Sequence, residues 1–374
     1  MKLFDVYPLY DVTPVKAEGM YVWDDKGQKY LDLYGGHAVI SIGHKHPHYV
    51  GALTSQLNAI GFYSNAVQNP LQVALAEKLG TLSGCENYQL FMVNSGAEAV
   101  ENALKVASFH NGLSRVIAFD KGFHGRTSAA VSVTDNKNII APINAHNPVS
   151  ILPLNDLKAV ENELKKGDVS SVIVEGIQGV GGLDQGSTDF FKQLEVLCKK
   201  YKALLILDEI QSGFGRSGKF FSFQYHGIQP DIITIAKGMG NGFPLGGILV
   251  ADHIEASHGM LGTTFGGNHL ACVAALAVLE VIETEDLLNH VNEISNYFVQ
   301  SVQGLPGLKK IKGKGLMLGL EFDFEVGALR KKLIYNEKIF TGGSSNKKLL
   351  RILPPLNVTK ESIDIFVSAL KKVL

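Results

Sequence analysis

From residue 71 to residue 236, helix-periodic and strand-like segments take turns along the chain, and this alternation leaves few architectures open. Residues 71–82 carry a helical period. Gln89-Leu90-Phe91-Met92-Val93 reads as a strand running into Asn94-Ser95-Gly96, and a helix is expected from Ala97 to about His110. Further strands are expected at 115–119, 172–174, 203–207 and 232–236, the last closing the series, with a helix near 189–201. The pattern points to an α/β fold with a mainly parallel, doubly wound sheet. Ile232-Ile233-Thr234-Ile235-Ala236 is apolar or β-branched at every position, as suits a strand buried on both faces. Ligands of such sheets sit beyond the carboxyl ends of the strands. Here those ends are followed by Ser95-Gly96-Ala97, Phe123-His124-Gly125-Arg126, Glu175, Asp208-Glu209 and Lys237, so polar and ionisable groups concentrate along one edge.

The flanks have a different texture. Residues 1–45 read as an irregular arm with short strands, and Asp25-Lys26-Gly27 is a hairpin signal. Beyond residue 265 a helix over 269–283, a second helix, short strands near 315–322 and 349–353 and a terminal helix from 360 suggest a smaller α+β unit. The expected division is 1–45 as part of a small domain, 46–264 as the large domain and 265–374 as the remainder of the small one. With 374 residues, 45% hydrophobic, and a mean hydropathy of +0.10, the chain suits a soluble globular protein with a large core. A formal net charge of -1 provides no basic field, which argues against nucleic acid as a partner. The apolar stretch 270–282 is too short and too alanine-rich to span a membrane, and MKLFDVYPLYDVTPV lacks the apolar region of a signal peptide. Cys85, Cys198 and Cys272 lie far apart with no C-x-x-C pair, which favours a reducing cytoplasm over a disulfide framework or a zinc site. His44, His46 and His48 alternate, but Pro47 interrupts them and no carboxylate cluster accompanies them, so no metal site is expected.

Three edge positions carry chemistry, each with more than one reading. Lys237 leaves a buried strand just before Gly238, Gly240 and Gly242. It either snorkels into water or stays desolvated with a depressed pKa, ready for a covalent role. Ser95-Gly96-Ala97-Glu98 is either a capping box, with Glu98 reaching back to Ser95, or a phosphate seat of free helix amides and a hydroxyl. Asp208 could cap a helix, bind a metal or face a buried cation; DEIQSGFGRSG holds no companion metal ligands, whereas an aspartate against a protonated ring nitrogen fits. A Schiff-base lysine, an aspartate for a pyridinium and a phosphate seat on one sheet edge together describe a site for pyridoxal 5'-phosphate (PLP).

In order along nearly the whole chain run WDDKGQKYLDLYGG, GHKHPHYV, NSGAEAVENALK, KGFHGRT, LDEIQSGFGRSGKFF, DIITIAKGMGNGFPLGG, TTFGGNHLACVAALAVLE and LLRILPPLNVT. These motifs resemble the class III (ω-amine) aminotransferases of PLP fold type I, and most of all their acetylornithine and ornithine branches. The resemblance implies that Lys237 forms the Schiff base with PLP and shuttles the substrate proton, and that Asp208 keeps the pyridine nitrogen protonated. It implies that Gln211 bonds the phenolic oxygen and that Phe123 stacks on the ring. Ser95, Gly96 and Ala97 would hold the phosphate, with Thr264 arriving from a second subunit of a homodimer. Arg126 and Arg351 would bind substrate carboxylates, with Tyr10 and Asn65 as further substrate contacts. His124 matches the acetylornithine branch better than the ornithine branch. The activity implied is transfer of the δ-amino group of an Nα-acylated ornithine (N-acetyl or N-succinyl) to 2-oxoglutarate, in arginine biosynthesis. Unacylated ornithine and 4-aminobutyrate-type donors are the alternatives within the class. A catalytically silent relative would lack the lysine or the aspartate, and both are present.

One motif departs from the family. Where relatives read E-P-x-Q-G-E-G-G, this chain reads Glu175-Gly176-Ile177-Gln178-Gly179-Val180-Gly181-Gly182. In ornithine-type relatives the second glutamate screens the second arginine during the amine half-reaction. With Val180 there, Arg351 loses that partner, and an unpaired, partly buried guanidinium would favour a carboxylate in both half-reactions. The expected donor therefore carries an extra carboxylate, as N-succinylornithine does and N-acetylornithine does not. His37 and His269 also stand where relatives carry other residue types.

Overall fold

The computed structural model describes all residues, 1–374. An N-terminal arm leads into three short antiparallel strands, β1 (Pro14–Glu18), β2 (Tyr21–Asp24) and β3 (Lys29–Asp32). The turn between β2 and β3 closes where expected, with Gly27 at φ 77 and Asp24 Oδ1 accepting from the amides of Lys26 and Gln28. Positive φ is cheap for glycine and costly for a residue with a Cβ, which explains the glycine here.

The central sheet has seven strands: β4 (Tyr88–Val93), β5 (Arg115–Phe119), β6 (Val149–Leu152), β7 (Val169–Glu175), β8 (Leu204–Asp208), β9 (Ile232–Ala236) and β10 (Gly246–Ala251). Their order is β4-β10-β9-β8-β7-β5-β6. Pairing is parallel from β9 through to β6, while β10 runs antiparallel to both β4 and β9. The sheet is thus mainly parallel, as the alternation of elements required. The series does not close at β9, however. β10 was masked in the sequence by Gly246 and Gly247, which read as loop. A Cβ at Gly246 would lie 2.6 Å from the carbonyl oxygen of Ser95, and one at Gly247 2.9 Å from that of Phe91. The strand needs glycine because it passes so close to β4 and its outgoing turn. β6 was also missed; it is a short edge strand that follows two 3-10 turns.

Every residue of β7, β8 and β9 is buried, and alternate side chains enter different cores. Val172, Val174, Leu205, Leu207, Ile233 and Ile235 join one large cluster with the helices Pro70–Ser83, Thr188–Tyr201 and His269–Thr284. Ile173, Leu204, Ile206 and Ile232 join a second cluster on the opposite face, beneath the helix Gly96–Asn111. Period-two burial on both faces is the physical content of a doubly wound sheet. Each such aliphatic side chain contributes about 1.5–3 kcal/mol by leaving water, and truncating one to alanine costs about 2–5 kcal/mol.

The C-terminal part adds β11 (Leu308–Lys314), β12 (Met317–Phe322), β13 (Ile339–Phe340) and β14 (Leu349–Ile352). β11, β12 and β14 form a three-stranded sheet, whereas β13 pairs in parallel with β3 and so joins the two ends of the chain. Helix His269–Thr284 lies across helices Pro47–Ala59 and Pro70–Ser83. No helix is long and apolar enough to cross a membrane. Cys85, Cys198 and Cys272 are all free and buried.

Candidate active site

The carboxyl ends of β7, β8 and β9 open onto a cavity of about 420 Å³. Lys237 is the first residue beyond β9, at φ 48, where the chain turns into a 3-10 segment. That left-handed backbone is strained for a lysine, and such strain persists only where surrounding structure enforces it. Burial pulls the Lys237 amine below the ordinary lysine range; Asp208 and Glu175 oppose that pull by their charge, without bonding to it. The lysine is therefore held in the cavity and does not snorkel out.

Asp208 ends β8 and is 4% exposed. Its Oδ1 accepts from the Ile210 amide at 3.1 Å and from Thr234 Oγ1 at 3.0 Å. Its Oδ2 lies 2.7 Å from His124 Nδ1. Burial works to lower the pKa of His124, but the bond to Asp208 and its charge outweigh burial, and the pKa is raised. The bond to His124 also fixes the orientation of the Asp208 carboxylate. The sequence had shown His124 only as a motif letter; its ion pair with Asp208 was missed because the two lie 84 positions apart.

Ser95 caps the helix Gly96–Asn111, its hydroxyl accepting from the Glu98 amide at 3.2 Å. Glu98 does reach back, but to the amide of Asn94 and not to that of Ser95. The two readings of this segment are compatible. The Ser95 hydroxyl still has its proton to donate, and the amides of Gly96 and Ala97, which a helix leaves without internal partners, lie at the cavity wall. Phe123, Gly125 and Arg126 line the same cavity, Arg126 exposed at its rim. Gly125, at φ 139, packs so closely that a Cβ would come 3.0 Å from that of Ala97.

Gln211 lines the cavity and joins two further segments, donating to the His37 carbonyl and accepting from Arg351 Nη1, each at 3.3 Å. Arg351, on β14, is 3% exposed and also donates to the carbonyls of Gly179 and Gly343. Burial lowers its pKa. All its bonded partners are neutral, and Val180 forms part of the cavity wall beside it.

Eight of the residues singled out in the sequence thus share one cavity: Ser95, Gly96, Ala97, Phe123, Arg126, Asp208, Gln211 and Lys237. Arg351 borders it. Three others do not reach it within one chain. Thr264 is exposed on a separate loop, Asn65 donates to the carbonyls of Thr263 and Gly266, and Tyr10 stands against Tyr335 and Arg330. His44, His46 and His48 pair with three different carboxylates, those of Asp32, Glu285 and Glu280.

An orphaned pair of helix amides, a buried aspartate and a desolvated lysine at one sheet edge fit PLP on chemical grounds: phosphate, ring nitrogen and aldehyde each find a matching group. A doubly wound α/β sheet with this edge is the framework of the fold type I PLP enzymes. The family model "Aminotransferase class-III" matches residues 6–374, and the chain belongs to that family. It is 38% identical over 378 residues to the acetylornithine aminotransferase of Bacillus subtilis (strain 168), covering 100% of this chain and 97% of that one. It is 39% identical over 385 residues to the acetylornithine aminotransferase of Aquifex aeolicus (strain VF5), covering 100% and 99%. Among solved structures it is similar to the ornithine aminotransferase from Toxoplasma gondii, described with partial occupancy of PLP at its active site. That match has a TM-score of 0.89 at 28% identity, covering 98% of this chain and 90% of that chain. The chain is a PLP-dependent aminotransferase.

Proposed function

We propose that this aminotransferase takes the δ-amino group of an Nα-acylated ornithine and passes it to 2-oxoglutarate. The observation that carries the reading is the convergence of Lys237, Asp208, the Ser95–Ala97 turn and Arg126 on one cavity. The high identity to acetylornithine aminotransferases over the full length supports the same donor class.

PLP, when bound, supplies an electrophilic aldehyde and an electron-withdrawing ring. The protein's residues do the rest. Lys237 would hold the cofactor, and once freed by substrate its amine, whose pKa burial lowers, would take the substrate proton at its Nζ and return it. Asp208, braced by His124 and Thr234, keeps a proton on the ring nitrogen. The Ser95 hydroxyl and the Gly96 and Ala97 amides hold the phosphate. Phe123, which lines the cavity, would pack against the ring. Arg126 at the rim grips a carboxylate through its planar fork. Thr264 would complete the phosphate site from a second copy of the chain, in a homodimer. The exposed Phe62–Phe265 pair beside that loop, with ring centroids 5.5 Å apart, supports an interface there. Three buried free cysteines support a reducing compartment, the cytoplasm.

The donor's acyl group is inferred to end in a carboxylate, as in N-succinylornithine. Arg351 has neutral partners only, with Val180 where a screening carboxylate would sit. A buried guanidinium with no bonded counter-charge favours an anionic ligand. Comparing kcat/KM for N-succinylornithine and N-acetylornithine tests this, in the unmodified protein and in Val180→Glu. The expected result is a succinyl preference that shrinks in the variant. Equal or acetyl-favouring values in the unmodified protein would overturn the acyl assignment, and no turnover of either donor would overturn the donor class.

A further inference from the structure

Glu175 is buried at the heart of the site, yet no step above uses it. It ends β7, directly opposite Asp208 in the sheet register, and is 6% exposed. Its two carboxylate oxygens go to two different loops. Oε1 accepts from the Phe123 amide at 3.0 Å, and Oε2 accepts from the Gly179 amide at 2.8 Å. The first loop carries the ring-packing Phe123, His124 and the carboxylate-binding Arg126. The second carries Val180, and its Gly179 carbonyl accepts from Arg351 at 2.7 Å. A Cβ on Gly179 would fall 2.1 Å from Gln211 Oε1, so this loop lies in direct contact with the cavity floor. One buried side chain therefore ties together both loops that shape the cavity.

We propose that Glu175 is a positioning residue: its carboxylate holds the Phe123 loop and the Val180 loop in register over the cofactor, and proton uptake at Glu175 loosens both. The inference rests on the reading of this cavity as the PLP site.

An ionised carboxylate accepts from two amides through charge-assisted bonds, whereas a protonated one has lost its charge and given one oxygen a proton. Burial drives this carboxyl up, with His124 opposing and Asp208 adding to the rise, and the result is a pKa pushed up to about 7. The charged neighbours that face it are His124 on its loop, Asp208 on β8, Lys237 beyond β9 and Arg351 on β14. With the pKa raised to about 7, the tie is half formed there, approaches completion well above it, and weakens as pH falls through it. Loss of one charge-assisted bond corresponds to about tenfold in an affinity that depends on it.

The test is the affinity of the protein for PLP, followed by the visible absorption of the bound cofactor between pH 6 and pH 8.5, together with KM for 2-oxoglutarate. In the unmodified protein both should weaken about tenfold toward pH 6. Glu175→Gln offers one acceptor and no charge. It should bind PLP about tenfold more weakly at pH 8.5 and lose the pH dependence, while kcat changes less than KM. Hydrogen exchange of the unmodified holoenzyme gives a second readout that needs no variant: after correction for intrinsic rates, segments 119–126 and 176–182 should lose protection together at low pH. Glu175→Gln with the affinity and pH profile of the unmodified protein would overturn the proposal. So would pH-independent exchange in the two segments. If the unmodified protein bound no PLP at any pH, the aminotransferase reading itself would fail, a result distinct from either.

Discussion

Replacing His124 by phenylalanine keeps a ring of similar size in a site that is 3% exposed, and removes the bond to Asp208 together with the charge that faces Glu175. Asp208 Oδ2 then faces the interior with no partner, because its other oxygen already serves the Ile210 amide and Thr234. Breaking one side of a buried ion pair costs about 3–5 kcal/mol. For a chain of this size a kilocalorie moves the midpoint by roughly 1.3 °C, so thermal unfolding of the apoenzyme should fall by about 4–6 °C. The apoenzyme is the right sample, since cofactor would offer Asp208 another partner. The effect also has a pH signature. The pKa of His124 is raised in the folded protein. Its contribution is therefore complete below the ordinary histidine value of about 6.5 and is lost as pH rises through the folded value. The gap between the unmodified protein and His124→Phe, read by circular dichroism melts, should be widest near pH 6 and narrow as pH rises through the folded value. A gap under about 2 °C, or one that widens as pH rises, would refute the ion-pair argument.

Other outcomes follow from the same geometry. Arg126→Gln should raise KM for 2-oxoglutarate about 10- to 100-fold, the weight of hydrogen bonds to a charged group. Its melting temperature should stay close to that of the unmodified protein, because Arg126 is exposed at the rim; steady-state kinetics and a melt check both halves. Arg216 is 2% exposed and donates to the carbonyls of Leu316, Pro354 and Ile40. Arg216→Met strips three carbonyls of a donor and should destabilise by more than about 3 kcal/mol in a denaturant titration. Gly246→Ala places a Cβ 2.6 Å from the Ser95 carbonyl oxygen. It should displace the helix cap and weaken PLP binding, read by absorption titration, more than it lowers the melting temperature.

What the sequence made legible was mostly local. The run 232–236 followed by Lys237, the turn at Ser95 and the strand ending in Asp208 each declare themselves through period, β-branching and glycine, and β9, β8 and the helix Gly96–Asn111 formed where those signals lay. β10 escaped because its glycines answer a contact with β4 and Ser95 that lies about 150 positions away in the chain. Separation along the chain also hid the bond from His124 to Asp208, 84 positions apart, and the bond from the Phe123 amide to Glu175, 52 positions apart. Nor does any local pattern show that residues 35–38 form a left-handed run, with His37 at φ 68 and Ala38 at φ 64. That run sets the His37 carbonyl against Gln211. Buried polar networks are settled by three-dimensional neighbours, and a single chain of letters names the members without naming the pairs.

Lys237 is the residue on which the proposed chemistry depends, as the one that would hold the cofactor. Sodium borohydride reduction of the PLP-loaded protein, followed by proteolysis and mass spectrometry, tests it directly. A single pyridoxyl-phosphate adduct is expected on the peptide containing Lys237, with no adduct in Lys237→Ala. An adduct on another lysine, or an unmodified Lys237 peptide from fully loaded protein, would contradict it.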